Sequence, residues 1–156
     1  STYQSSSISE LFKQTAQIFI SKTGDASGPL YGTFFVEASR YSSHKEYLSL
    51  AEFAKLFGSA TEALKKRGRA ETDMKTMVDV LTPVSQSLNN DSSTDSSVAA
   101  VIEKAEETAK NGMVSTIDMI ARKGRASYLG ERSKGFQDPG ATSSYLLVIA
   151  LHSMVN

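Results

Sequence analysis

Residues 124–140 read GRASYLGERSKGFQDPG, and an apolar run at residues 145–151 follows shortly after. The segment holds four of the ten glycines of the chain, which predicts a polar, irregular loop. Its end predicts a helix start, because Asp138 is a strong N-cap and Pro139 suits the first helical position. Since a helix N-terminus exposes unpaired N–H groups and partial positive charge, we expect a site for an anion, usually phosphate, at this point. On composition alone, a long surface connection explains the segment equally well.

A second glycine-flanked turn repeats the pattern. Residues 24–29 read GDASGP and precede the apolar segment Leu30–Ala38, and Pro29 is predicted to open that helix. The backbone amides of the turn and the Ser27 hydroxyl would then lie at a second helix start. Two such starts in one small domain suggest a ligand with several phosphates.

The apolar periodicity predicts an all-α fold, a helical bundle of about six helices within a single domain, residues 1–156. The first helix is expected from about Ile8 to Gly24 and the second from Pro29. The third is expected to start at a capping box of Ser49 and Glu52 and to end at about Arg67. The fourth is expected from about Thr76 to Leu88, with a kink at Pro83, and the fifth from about Val98 to Arg122. The polar stretch at residues 89–96 predicts a linker between helices, and Gly112 a weak point in the fifth helix. No strand-like alternation of useful length occurs.

Composition excludes several classes of protein. The chain has 40% hydrophobic and 22% charged residues, as globular proteins do, and it lacks cysteine, which excludes disulfides and thiolate metal sites. No apolar run reaches the roughly 18 residues that a bilayer-spanning helix needs, and no signal segment opens the chain, so we expect a cytoplasmic protein without a membrane partner. The formal net charge is zero, which gives no general case for binding nucleic acid.

Other kinds of site have little support. The basic run at residues 65–69, KKRGR, is typical of the last turn of a helix, although this does not exclude a binding role. The phosphate-loop pattern Gly-x-x-x-x-Gly-Lys-Ser/Thr is absent, as is the Gly-x-Ser-x-Gly elbow of many hydrolases. His44 and His152 do not occur in a metal-spacing motif, and the sequence offers no metal ligands of its own.

Three motifs together resemble the nucleotide-binding L subunit of phosphoenolpyruvate-dependent dihydroxyacetone kinase. They are residues 124–140, ASGPLYGTFF at residues 26–35, and RGRA at residues 67–70 followed by KTMVD at residues 75–79. They stand in the order of that family and at about its spacing. The resemblance implies an antiparallel barrel of about eight helices that holds ADP or ATP with Mg²⁺ at one end. It also implies a partner subunit that carries dihydroxyacetone and receives the phosphate, and a phosphoryl-donor subunit of a phosphotransferase system.

The resemblance assigns roles to individual residues. It implies phosphate contacts through the Ala26 amide and the Ser27 hydroxyl, a base pocket lined by Gly68 and Met77, a catalytic pairing of Arg125 with phosphate oxygens, and closure around the nucleotide by Asp138, Pro139 and Gly140. Arg125 suits its role, because a planar guanidinium binds phosphate through two parallel hydrogen bonds. A purely structural role for Arg125 stays open.

One departure concerns the metal. In the family, magnesium is held by an upstream loop of the form Gly-Asp-x-Asp-His-Gly, whereas residues 1–7 contain no acid. We therefore expect an N-terminal segment with these aspartates to be missing from this sequence. The alternative is a divergent, catalytically silent nucleotide-binding regulator, or a subunit of the related fatty-acid kinase type. Asp25, where the family usually has glycine, and Phe136, where it often has histidine, indicate a divergent member.

Overall fold

The computed structural model describes residues 7–155, and within this range the chain forms only helices, turns and loops. The α-helices are α1 (Ile8–Lys22), α2 (Ser27–Tyr41), α3 (Leu50–Gly68), α4 (Val78–Asp91), α5 (Val98–Ser115) and α6 (Pro139–Ser153). Two 3-10 segments, Thr116–Asp118 and Arg125–Ser133, lie between α5 and α6. The prediction of an all-α fold with about six helices is confirmed. In the described part of the chain, no helix is long and apolar enough to cross a membrane. The expectation about residues 1–6 lies outside the described range.

The chain divides between Gly68 and Arg69 into two compact units. In the first unit, α1 packs on α2 and α2 packs on α3. Aromatic rings fill these contacts: the Phe19 and Phe35 rings stack at 5.4 Å between centroids, and the Phe34 ring meets the Phe57 ring edge-on at 5.3 Å. Such geometries add to the stabilisation that burial of the rings provides.

The start of α3 shows why its boundary was predictable. The Ser49 N–H donates to Oε2 of Glu52 (2.9 Å), and the Glu52 N–H donates to Oγ of Ser49 (3.2 Å), which is the expected capping box. The Lys45 ammonium donates to the other Glu52 oxygen at 2.6 Å. These hydrogen bonds, with that of Lys45 the largest, lower the pKa of Glu52 from an ordinary 4.5 to about 2.

In the second unit, α5 packs on both α4 and α6, and α4 also touches α6. The core side chains are aliphatic and at most 2% exposed: Val78, Val80, Leu81, Val84 and Leu88 on α4, Val101 and Ile102 on α5, and Val148 on α6. Pro83 lies inside α4, as predicted, and the kink expected there stays a prediction. The fold of this unit places the starts of α4 and α6 side by side.

Several predicted boundaries were wrong. Helix α2 begins at Ser27, so Pro29 is its third residue, a position where the missing N–H breaks no helical bond. Helix α4 begins at Val78 and continues to Asp91, which takes the first residues of the predicted linker into the helix. Helix α5 ends at Ser115 and not near Arg122. Beyond Ser115 the chain tightens into the 3-10 segment Thr116–Asp118, in which the Met119 N–H donates to the Thr116 carbonyl at 3.2 Å.

Candidate functional site

A strained turn, residues 73–77, leads into α4. Asp73 and Lys75 have φ angles of 64° and 61°, in the left-handed region that residues other than glycine seldom adopt. The buried Asp79 carboxylate holds this turn: Oδ1 accepts from the Asp73 N–H at 2.5 Å and Oδ2 from the Thr76 N–H at 2.7 Å. Burial raises the pKa of Asp79, and these backbone N–H groups oppose the rise. A carboxylate in the first turn of α4 therefore fixes the backbone just before the helix.

The Lys75 side chain ties this turn to the glycine-rich segment. Its ammonium donates to four carbonyl oxygens and the residue is 3% exposed. The acceptors are the carbonyl oxygens of Thr116 (2.8 Å), Met119 (3.1 Å), Ser133 (2.7 Å) and Phe136 (2.6 Å). The Thr116 carbonyl also accepts from the Met119 N–H at 3.2 Å, so a 3-10 turn and the lysine share this oxygen just after the end of α5. The buried lysine is therefore the anchor of residues 116–136.

The glycine-rich segment is ordered by further bonds to buried groups. The Ser133 hydroxyl accepts from the Ala121 N–H at 2.9 Å and donates to the Gly130 carbonyl at 2.6 Å, and the Gly135 N–H donates to the Ile117 carbonyl at 2.7 Å. Gly130 and Gly135 have positive φ angles of 54° and 90°, which glycine adopts without strain. The segment is irregular, as predicted, yet several hydrogen bonds to buried groups fix its conformation.

Helix α6 begins as the sequence predicted. Oδ2 of Asp138 accepts from the Ala141 N–H at 2.7 Å, and Pro139 is the first helical residue. The Asp138 N–H donates to Oγ1 of the buried Thr116 at 3.0 Å. Burial raises the pKa of Asp138, and the nearby Asp79 charge adds to the rise, while backbone N–H groups and the Lys75 charge oppose it. The two aspartates and the lysine thus form one electrostatic cluster at the joined helix starts.

Gly140 brings the start of α6 against the start of α4. A Cβ atom at Gly140 would lie 3.3 Å from the Met77 backbone nitrogen, 3.4 Å from its Cε and 3.0 Å from Oδ2 of Asp138. Glycine therefore allows an approach that a side chain would obstruct. The second unit brings together four of the predicted site residues, namely Met77, Asp138, Pro139 and Gly140.

The other predicted residues are distributed as follows. Arg125 is exposed and begins the second 3-10 segment, directly after Gly124. In the first unit, Ala26 is the N-cap of α2, the Ser27 hydroxyl donates to the Gly24 carbonyl at 3.3 Å, and Gly68 is the last residue of α3. The apolar Ala26 side chain cannot cap the helix, so it leaves the first N–H groups of α2 without a partner from that side chain.

Sequence reasoning missed three residues that build the site: Lys75, Asp79 and Thr116. Lys75 and Asp79 belong to the motif KTMVD, which contributes to the family resemblance and predicts no role for either side chain. The sequence does show a lysine and an aspartate on either side of an apolar helix start, which could have indicated two buried charges. It does not show the partners of the lysine, which lie up to 61 residues away in the chain.

The described residues do not fit a magnesium ion. Between residues 7 and 155, no three or more His, Cys, Asp or Glu side chains are grouped so that they could hold a metal. Asp79 and Asp138 accept hydrogen bonds from backbone N–H groups. Mg²⁺ is usually held by one or two carboxylates together with water and phosphate oxygens, and these two carboxylates are already engaged by backbone N–H groups.

Within residues 7–155, only helices, turns and loops build the fold, the starts of α4 and α6 adjoin, and a glycine-rich segment is anchored beside them, which defines the class of an all-α domain. A family model described as the DAK2 domain matches residues 1–153. The chain therefore belongs to the DAK2 domain family, and the predicted resemblance is confirmed.

Relatives with this domain occur in bacteria and animals. The chain is 47% identical over 133 residues to the ADP-binding subunit DhaL of the PEP-dependent dihydroxyacetone kinase of Escherichia coli, which covers 85% of this chain and 63% of that protein. It is 40% identical over 144 residues to the ADP-binding subunit DhaL of PEP-dependent dihydroxyacetone kinase 1 of Listeria innocua, covering 92% and 67%. It is 30% identical over 142 residues to the triokinase/FMN cyclase of Homo sapiens, covering 91% and 24%. The chain thus spans about two thirds of the length of the bacterial relatives.

Proposed function

We propose that this chain is the nucleotide-binding part of a dihydroxyacetone kinase, a phosphotransferase, and that it binds ADP or ATP. Its similarity to two bacterial subunits named as ADP-binding supports this. In this proposal the phosphate passes to dihydroxyacetone held on a partner subunit. The names of those relatives include dependence on phosphoenolpyruvate, which supports a second partner, the phosphoryl-donor subunit of a phosphotransferase system. In this proposal the protein acts in the cytoplasm.

The observation that carries the proposal is the convergence of the α4 and α6 starts at Met77 and Gly140. The dipole of each helix places partial positive charge at its start, which favours an anion such as phosphate. The Met77 thioether is polarizable and suits contact with the face of a base. Arg125 lies on the segment that Lys75 pins beside these helix starts, and its guanidinium supplies fixed positive charge to phosphate oxygens. Phosphoryl transfer needs mainly such positioning and charge neutralisation from a protein.

Magnesium in this proposal binds to residues other than those described, because the described residues offer no suitable set of ligands. The roles that the resemblance implies for Ala26, Ser27 and Gly68, all in the first unit, stay predictions. The silent-regulator alternative is not favoured, since the compared bacterial relatives are named as kinase subunits.

Nucleotide binding is tested by calorimetric titration of the protein, as its gene encodes it, with ADP and Mg²⁺. Two exposed arginines on the same segment provide a matched pair, Arg125→Met and Arg132→Met. Loss of charge-assisted hydrogen bonds should weaken ADP binding about tenfold or more for Arg125→Met and leave it nearly unchanged for Arg132→Met. Equal effects of the two substitutions would remove Arg125 from the site, and no binding by the unmodified protein would contradict the proposal.

Transfer is tested with the purified dihydroxyacetone-holding partner, dihydroxyacetone and the phosphoryl-donor system. Phosphorus NMR should show a new phosphate monoester that forms only when all components are present. A protein that binds ADP and yet supports no transfer in this mixture would instead be the regulator.

A further inference from the structure

The most unusual buried group of the second unit is the Lys75 ammonium. Lysine is seldom fully buried without a carboxylate partner, yet four backbone carbonyl oxygens, at 2.6 to 3.1 Å, surround this one. Its three N–H donors are thus shared among four acceptors, all of which belong to residues 116–136. A compact, roughly tetrahedral ammonium fits such a cage, whereas a planar guanidinium does not.

The acceptors lie at both ends of the segment that carries Arg125. Thr116 and Met119 precede the second 3-10 segment, and Ser133 and Phe136 stand at its end and just beyond it. The Lys75 side chain therefore joins the two ends of residues 116–136, so that this segment forms a loop. The loop is attached to the turn next to Met77. The Arg122 N–H adds a backbone bond to the Met74 carbonyl, at 3.1 Å, on the same side.

We propose that Lys75 is a positioning residue of the nucleotide site: its ammonium sets the place of the segment around Arg125 relative to Met77 and the start of α6. The inference rests on the nucleotide-binding function proposed above. Without the ammonium, the four carbonyl oxygens lose their common donor and the segment separates from the turn. The helices keep their own hydrogen bonds and apolar core, so the effect falls on the site and not on the fold.

The chain contains no cysteine, which permits a sharp test. The substitution Lys75→Cys introduces a single thiol. This thiol is alkylated in denaturant, and the protein is then refolded. Alkylation with 2-bromoethylamine gives a side chain of lysine shape with its ammonium, and alkylation with 1-bromopropane gives an apolar chain of the same length. The two products differ in one charged group at one buried position.

We expect the aminoethyl form to bind ADP within about threefold of the unmodified protein, and the propyl form to bind about tenfold or more weakly. Amide hydrogen exchange at Ala121 and Gly135 should be faster in the propyl form only, since both N–H groups are bonded within the pinned segment. Leu88→Ala provides the control for lowered stability, because Leu88 is fully buried and lies about 16 Å along α4 from Met77. It should lower the melting temperature and leave ADP affinity unchanged.

Three results would overturn the proposal. Equal ADP affinity of the two alkylated forms would show that the ammonium does not position the site. Loss of ADP affinity in Leu88→Ala at a matched melting temperature would show a general effect of stability. A propyl form that cannot refold, beside an aminoethyl form that can, would make Lys75 a requirement of the fold. Absence of ADP binding by the unmodified protein would contradict the proposed function instead. The ADP affinity of the unmodified protein is therefore measured before any variant is compared.

Discussion

Gly112 provides a test in which two physical effects have opposite signs. Glycine in the interior of a helix is less favourable than alanine by about 0.8 to 1.0 kcal/mol, so propensity alone predicts that Gly112→Ala stabilises the protein. The structure predicts the reverse. A Cβ atom at Gly112 would lie 2.5 Å from the Asp79 carbonyl oxygen and 3.2 Å from the Val80 Cα. Both neighbours are backbone atoms of α4, which cannot turn aside as a flexible side chain can.

The magnitude follows from the distance. Ordinary contact begins near 3.4 Å, so the start of α4 would have to retreat by about 0.9 Å from α5. Overpacking of this kind costs about 1 to 3 kcal/mol, which at least cancels the gain in helix propensity. We expect a net loss of up to about 2 kcal/mol, which at this chain length lowers the melting temperature by up to roughly 8 °C.

Thermal unfolding followed by circular dichroism at 222 nm measures this shift. The matched control is Asn111→Ala, at the preceding, exposed position of α5, where alanine improves helix propensity without a new contact. Its melting temperature should rise slightly. A comparable rise for Gly112→Ala would refute the close approach of α5 to the backbone of Asp79, and with it the idea that glycine stands there for packing.

Two further predictions concern helix starts. Asp138→Ala should lower the free energy of unfolding by about 1 kcal/mol through the lost cap of α6, whereas Asp138→Asn should lower it less, because asparagine caps equally well. Urea unfolding of the two variants measures this difference, and equal losses of stability would contradict the cap. Glu52 has a pKa lowered from 4.5 to about 2, so its ionised form stabilises the folded protein above pH 4.5, and this contribution is lost as the pH falls towards 2. The difference in melting temperature between the unmodified protein and Glu52→Gln should therefore shrink over that range, and a difference independent of pH would exclude the ion pair with Lys45 as its cause.

The helix starts were predictable because their partners lie close in sequence. Ser49 and Glu52 form hydrogen bonds with each other, and Asp138 accepts from an N–H three residues ahead. Each short motif therefore includes both partners of the cap. The early end of α5 was not predictable. Where α5 ends, the chain meets a lysine that lies 41 to 61 residues away in sequence from its acceptors, and local periodicity carries no information on that distance.

The same limit applies to glycine. Local propensity treats Gly112 as a weak point of its helix, whereas its packing partner, the backbone of Asp79, belongs to another helix. The place of Asp138 at the start of α6 could be predicted from its motif. The close approach of Gly140 to Met77 could not, since it depends on packing that only the folded chain shows.

The strained turn connects these observations. Two residues other than glycine with positive φ within three positions, Asp73 and Lys75, carry a conformational cost that persists only where other contacts over-determine the backbone. Asp79 supplies those contacts from one side, through the backbone N–H groups of the turn, and Lys75 supplies them from the other, through four carbonyl oxygens. A fold that needed only to join α3 to α4 could do so with a relaxed turn. Strain maintained by two buried charged groups directly beside Met77 is what the nucleotide site proposed above would need, since a site held rigid before its ligand arrives loses less entropy on binding.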